Sequence, residues 1–286
     1  MLDQAEALRE LVVKNDVQNT QLKTKIITVT SGKGGVGKSN FVVNLAITLQ
    51  SKGKKVLIFD ADLGMGNDDV LMGIYPKYNI FDIVFTQKRI EDIIVLGPNG
   101  VSLIPAGSGL NKVDELQESE RNLFLEKLDS LNGFDYIFMD TGAGVNKSIL
   151  SFIAASEELI IITTPEPTSL TDAYSLIKAA DHFKIKNHAM VIVNKAFTLN
   201  EGLDVYNKLQ RAVNKFLKLN LEYLGCILDD RKVLQSVRQQ KPFVIAYPNC
   251  DASKSIENIA MRILGQNMKT SVGPKELFKK LFNIFS

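Results

Sequence analysis

One stretch constrains this chain more than any other: "SGKGGVGKSN", Ser31 to Asn40. It follows an apolar run, "KIITVTS" (25–31), and leads into a helical pattern, "NFVVNLAITLQSKG" (40–53). Gly32 to Ser39 fits G-x-x-x-x-G-K-[ST] in the strand–loop–helix setting that gives the pattern its meaning. Gly34, Gly35 and Gly37 let backbone N–H groups turn inward toward an anion. The helix N-terminus behind them adds its dipole. Lys38 supplies a cation for β- and γ-phosphates, and the Ser39 hydroxyl is a natural Mg²⁺ ligand. The whole loop (Gly32, Lys33, Gly34, Gly35, Val36, Gly37, Lys38, Ser39, Asn40) is therefore expected to bind a nucleoside triphosphate. A glycine turn with incidental lysines is the alternative, and length, order and context argue against it.

Such a loop sits at the edge of a parallel sheet, and the chain supplies one. Apolar runs recur at "KVLIFD" (55–60), "VSLIPAG" (101–107), "DYIFMDT" (135–141), "ELIIITTP" (158–165), "AMVIVNK" (189–195) and "YLGCIL" (223–228). Nearly continuous apolar runs are what strands buried on both faces require. Helical patterns lie between them, including "SERNLFLEKLDSLNG" (119–133) with Ser119 as N-cap. This helix and the one after the loop both end at a glycine, a common stop. The alternation predicts an α/β fold: a doubly wound, mostly parallel sheet flanked by helices, from residue 25 to 265. Residues 1–24 lie outside it and begin with a short helix. There Asp3 and Glu6 have capping-box spacing, and Ala5, Leu8 and Val12 share a face. Residues 266–286 hold a linker and a last helix, "KELFKKLFNIFS".

Acids mark two strand ends. In "FDADLGMGNDD" (59–69), Asp60 and Asp62 alternate. If Asp60 stands near Mg²⁺, Asp62 lies just beyond it, at the carboxyl end of a strand where open sheets place ligand chemistry. Asp68 and Asp69 read as a solvated turn or helix start. In "DYIFMDTGAGV" (135–145) an apolar run ends on Asp140, a Walker B layout whose carboxylate is expected to hold Mg²⁺ through water. Gly142 and Gly144 would let that loop follow a γ-phosphate. Phe59, Tyr136 and Phe138 read as core.

Lys33 is the sharper feature, because the general loop pattern does not ask for it. Lys33 to Ser39 matches K-G-G-x-G-K-[ST], and residues 25–265 resemble the deviant Walker A group, the MinD/ParA-type ATPases. The resemblance implies an ATP-driven homodimer in which Lys33 reaches the partner subunit's nucleotide. A cation supplied in trans would offset transition-state charge as arginine fingers do; a solvated loop lysine is the alternative. It further implies ATP hydrolysis with Lys33, Lys38 and Asp62 catalytic, Asp62 orienting water. Ser39, Asp60 and Asp140 would serve Mg²⁺, Asn67 would lie in a switch-like loop, and Asn194, beside Lys195, would recognise adenine. One departure stands out: Asp229-Asp230 follow "YLGCIL" where many relatives carry a proline-containing base contact, so the second half of the purine pocket stays open.

Several biological roles share this core. Net charge is only +2, and no basic run marks the body, which speaks against the DNA-partition reading. Cys226 and Cys250 are too few and too distant for an iron–sulfur cluster or a disulfide framework, and the tail lacks clustered tyrosines. The N-terminus has no apolar h-region and no run is long enough to span a bilayer, so a cytoplasmic chain is expected. Yet at ~100° per residue the tail puts Leu277, Phe278, Leu281, Phe282, Ile284 and Phe285 on one side. Lys279 and Lys280 flank them, as an interfacial helix on anionic lipid requires. MinD-type members carry such a tail; permanent packing on the body is the alternative. Finally, Asp3, Gln4, Ala5, Leu8 and Arg9 match the D-Q-A-x-x-L-R element of the FlhG-type flagellar-number ATPases. That resemblance implies stimulation of FlhF, a signal-recognition-type GTPase, and contact with flagellar basal-body components; an N-terminal helix packed on its own body is the alternative. The expectation is an ATP-hydrolysing switch that dimerises, cycles to the inner face of the cell membrane and regulates flagellar placement and number. A DNA-partition ATPase and a nucleotide-dependent scaffold with negligible turnover remain the alternatives.

Overall fold

The computed structural model describes residues 24–62, 66–80, 82–86, 88–105, 118–128, 131, 133–266, 268 and 273–285. The N-terminal element with Asp3, Gln4, Ala5, Leu8 and Arg9 lies outside them, as do the side chains of Ile284 and Phe285.

The strands are β1 (Lys25–Ser31), β2 (Val56–Ala61), β3 (Val95–Leu96), β4 (Ser102–Ile104), β5 (Tyr136–Ala143), β6 (Glu158–Thr163), β7 (His188–Ala196) and β8 (Asn220–Leu228). They form one sheet in the order β3-β4-β2-β5-β1-β6-β7-β8, parallel except for β3. Between β1 and β3 run α1 (Lys38–Ser51), α2 (Asp68–Met72), α3 (Asp82–Phe85) and α4 (Ile90–Ile93); α5 (Glu118–Lys127) precedes β5. Then follow α6 (Lys147–Ala155), α7 (Pro167–His182), α8 (Leu199–Phe216), α9 (Arg231–Arg238), α10 (Phe243–Ala246), α11 (Asp251–Gly265) and α12 (Pro274–Phe285). The predicted parallel α/β sheet is the observed one. Two boundaries differ. Ser119 lies inside α5 rather than capping it, and α5 ends at Lys127, well before Gly133. The first helix does stop as expected: Gly53, just past its end, has φ +80°, and its N–H returns to the Gln50 carbonyl.

Successive strand residues face opposite sides, so each apolar run must be covered twice. Ile27, Val29, Ile58 and Phe138 face a layer that includes Phe41 and Leu45 of α1 and Ile256 and Ile259 of α11. Ile26, Leu57, Phe59, Ile137 and Met139 face the other way, and there the cover includes α12. Leu277, Phe278, Leu281 and Phe282 are all buried in that layer, and the Phe278 ring meets Phe59 edge-on at 5.1 Å between centroids. The apolar face of the last helix is thus part of the core on the far side of the sheet. Lys280, expected as a flanking surface cation, is nearly covered and donates to the Ala155 carbonyl (3.4 Å) and Glu157 (3.5 Å); Lys279 is exposed. Because Phe278 fills a closed site, Phe278→Ala is expected to lower stability by roughly 3–5 kcal/mol, read by denaturant unfolding. A loss below about 1 kcal/mol would mean that α12 barely packs.

Candidate nucleotide site

Parallel register brings the marked acids together. Asp60 of β2 pairs directly with Asp140 of β5, so both carboxyls leave the same face of adjacent strands. Beside them β1 runs out into the glycine loop at the centre of the sheet. Gly37 has φ +92°, and a Cβ there would meet Asn194 Nδ2 at 2.3 Å. At Gly32 a Cβ would strike the Asp172 carbonyl carbon of α7 at 2.1 Å. Only glycine allows the loop to lie this close to α7.

Lys38 is buried and its Nζ bonds Asp140 Oδ1 at 2.6 Å. Burial opposes charge on Lys38, yet the Asp140 carboxylate outweighs it and raises the lysine's pKa. Asp140 itself is pushed up by burial, against the pull of Lys38 and a hydrogen bond with Ser39. Asp60 is pushed up to about 7, first by burial and then by Asp140. Its oxygens fix the backbone of the next segment: Oδ1 accepts from Asp62 N (3.1 Å) and Oδ2 from Asp68 N (3.4 Å). Asp62, half-buried, lies over Gly142, where a Cβ would stand 3.4 Å from its Oδ1.

Asp68 corrects the reading of a solvated turn. It does open α2, but it is 0% exposed. Neither of its oxygens has a hydrogen-bond partner among the described residues. Burial, followed by Asp140 and Asp60, holds its carboxyl well above the usual range. The helix folds its first residue inward against the strand acids, while Asp69 remains half-buried. Nothing in the spacing of two adjacent aspartates tells which one turns inward.

Lys33 points away from the Lys38–Asp140 pair. Its Nζ donates to Glu166 (2.8 Å) and to Thr168 (2.9 Å) of the same chain, at the start of α7, and its charge holds the Glu166 carboxyl below the usual range. Those two partners escaped sequence reading because they lie on a distant strand–helix turn. Asn194 and Lys195 brace the loop: Asn194 Nδ2 donates to the Val36 carbonyl (2.7 Å) and Lys195 Nζ to that of Gly35 (2.9 Å). Beside them opens a cavity of about 370 Å³ with Leu228, Asp229, Val233 and Phe243 among its lining residues. Asp229 and Asp230 thus both line the cavity, and Asp230 also caps α9 by accepting from Lys232 N at 2.8 Å. The arrangement offers an anion cradle, a cation, strand-end acids and an adjoining slot with apolar walls.

A family model described as an AAA domain matches residues 24–193. The antiactivator FleN of Pseudomonas aeruginosa is 35% identical over 240 residues, covering 84% of this chain and 86% of FleN. The flagellum site-determining protein YlxH of Helicobacter pylori is 36% identical over 292 aligned positions, 98% of either chain. The chain belongs to the MinD/ParA-type P-loop ATPases. As a member of that group it is an ATPase, and its fold is that of MinD: in the MinC:MinD cell division complex of Aquifex aeolicus the match has a TM-score of 0.67 at 25% identity, covering 88% of this chain and all of that one. Among the described residues no helix of this ATPase is long and apolar enough to cross a membrane.

Proposed function

We propose that this ATPase is a molecular switch of the FleN/YlxH kind, which regulates flagellar placement or number by cycling between a resting monomer and an ATP-bound dimer. The observation that carries this reading is the match with the flagellum site-determining protein YlxH, which spans 98% of both chains.

In the cycle, the loop from Gly32 to Asn40 takes the phosphates, Lys38 serves them, and Asp62 orients the attacking water. The cavity between Asn194 and Asp229 takes the base. Mg²⁺ suits the acids: Ser39 lies beside Asp140, Asp60 pairs with Asp140 across the strands, and Asp68 is buried next to them. Among the described residues no three acids enclose a metal by themselves, which agrees with a cation shared with phosphate oxygens and water. Held there by Ser39, Asp60 and Asp140, the cation would supply charge to offset that of the phosphates.

Dimerisation turns Lys33 from Glu166 toward the partner subunit's nucleotide. At the other end, α12 exchanges one apolar cover for another, the far face of the sheet for an anionic membrane. Removing four buried apolar side chains from the body costs roughly 1.5–3 kcal/mol each, so a single helix would stay docked without lipid to receive it. Two helices on one dimer bind lipid far more tightly than one. The N-terminal element with Asp3 and Arg9 would engage an FlhF-type GTPase, and basal-body components complete the partners.

Co-sedimentation tests this reading. Full-length protein is expected to pellet with anionic liposomes in ATP and to stay in solution in ADP. Pelleting with DNA but not with liposomes would replace it by the partition reading.

A further inference from the structure

The apolar face of α12 cannot by itself choose between the body and a membrane, because lipid tails are as apolar as leucine. A polar contact can. Lys280 Nζ lies 3.5 Å from Glu157 Oε1 and donates to the Ala155 carbonyl at 3.4 Å. Both side chains of this ion pair are nearly covered, at 12% and 10% exposure. Glu157 sits between α6 and β6, so it belongs to the body and not to the moving helix. Lys186, next to it, donates to the Ser156 and Glu157 carbonyls and stays with the body in either state. Docking of α12 therefore covers an ammonium and a carboxylate together. Each makes the burial of the other tolerable, since a covered charge left alone is costly.

We propose that Glu157 is the counter-anion that a membrane must replace: it holds Lys280 where a lipid phosphate would otherwise stand, and so sets how much anionic lipid draws α12 off the body. On an anionic surface Lys280 exchanges a carboxylate for a phosphate, and a lysine near such a surface adds about fivefold to affinity. On a neutral surface it exchanges the carboxylate for water, and the helix stays docked. The proposal rests on the membrane reading given above and adds to it the residue of the body that makes the exchange selective for charge.

The test uses the full chain in ADP and phosphatidylcholine vesicles with rising fractions of phosphatidylglycerol. Partition coefficients are measured by co-sedimentation for wild type, Glu157→Gln, Lys280→Glu and the double variant. Residue 157 stays off the lipid, so any effect of changing it acts through docking. Glu157→Gln in the wild-type background is expected to raise the partition coefficient by at least about fivefold, the low end of coupling between sites, and to lower the phosphatidylglycerol fraction at half-binding. In the Lys280→Glu background the same change relieves a repulsion and is expected to lower the partition coefficient. Such a change of sign isolates the charge pair. A purely structural role for Glu157 would move both backgrounds in the same direction, and that result overturns the proposal, as does a smaller rise in the first. Should Glu157→Gln fail to fold by its thermal unfolding curve, Glu157→Lys takes its place with the same two signs expected. Wild type that binds no vesicle at any composition, in ADP or in ATP, overturns the membrane reading itself, and the proposal with it.

Discussion

Lys33→Ala is expected to lower ATP turnover by roughly 10³-fold or more, the range lost when a cation supplied in trans is removed from a phosphoryl-transfer site. ATP binding should survive, because Lys38 and the loop backbone still hold the phosphates. The same variant is expected to remain monomeric in ATP by light scattering. The structure supplies the control. Lys33 rests on Glu166 and Thr168 of its own chain, both at an exposed turn, and exposed ion pairs hold weakly. If that cis contact were the lysine's purpose, Glu166→Gln would reproduce the Lys33→Ala defect. The expected result is the reverse: Glu166→Gln frees Lys33 and leaves turnover at or above the wild-type level. An ATP dimer that persists in Lys33→Ala would remove the cross-subunit role.

Asp62→Ala is expected to slow hydrolysis by roughly 10²–10⁴-fold, the usual share of a positioned acid–base group, with little change in KM. The backbone of Asp62 is fixed by Asp60, and its side chain lies across Gly142, so the carboxylate is aimed over the loop that follows β5. Asp62→Asn keeps the shape and removes the charge, and should lose nearly as much. Single-turnover measurements in which wild type and Asp62→Ala hydrolyse at equal rates would show that another group orients the water.

The loop was legible because an anion cradle demands glycine and lysine at fixed spacing, and few other needs produce that order. Asp140 was legible for a related reason: a run buried on both faces that ends in a carboxylate has few structural uses. The parallel sheet followed from those same runs, except β3, whose two residues are too short for any period to register. The misreadings share one cause, which is that burial is decided by partners far away in the chain. Asp68 reads as a surface acid until α2 is seen to fold against β2 and β5. Ser119 reads as a cap, but it lies inside α5. The last helix shows its apolar face plainly in sequence, yet only the alternation of Phe59 and Met139 on the far side of the sheet reveals what it covers. Asn194 also makes a contact that no motif announces: its amide holds the Val36 carbonyl, a contact set by tertiary approach.

The exchange of covers by α12 is the centre of this account, and a distance measures it. Nitroxide labels at Lys279 of α12 and Glu126 of α5, both exposed positions on helices that contact each other, would be read by pulsed electron paramagnetic resonance in the full chain. In ADP with anionic vesicles the account predicts a short, narrow distance. In ATP with the same vesicles it predicts a long, broad one. A short distance under both conditions would mean that α12 is a permanent part of the core, and would contradict the switch.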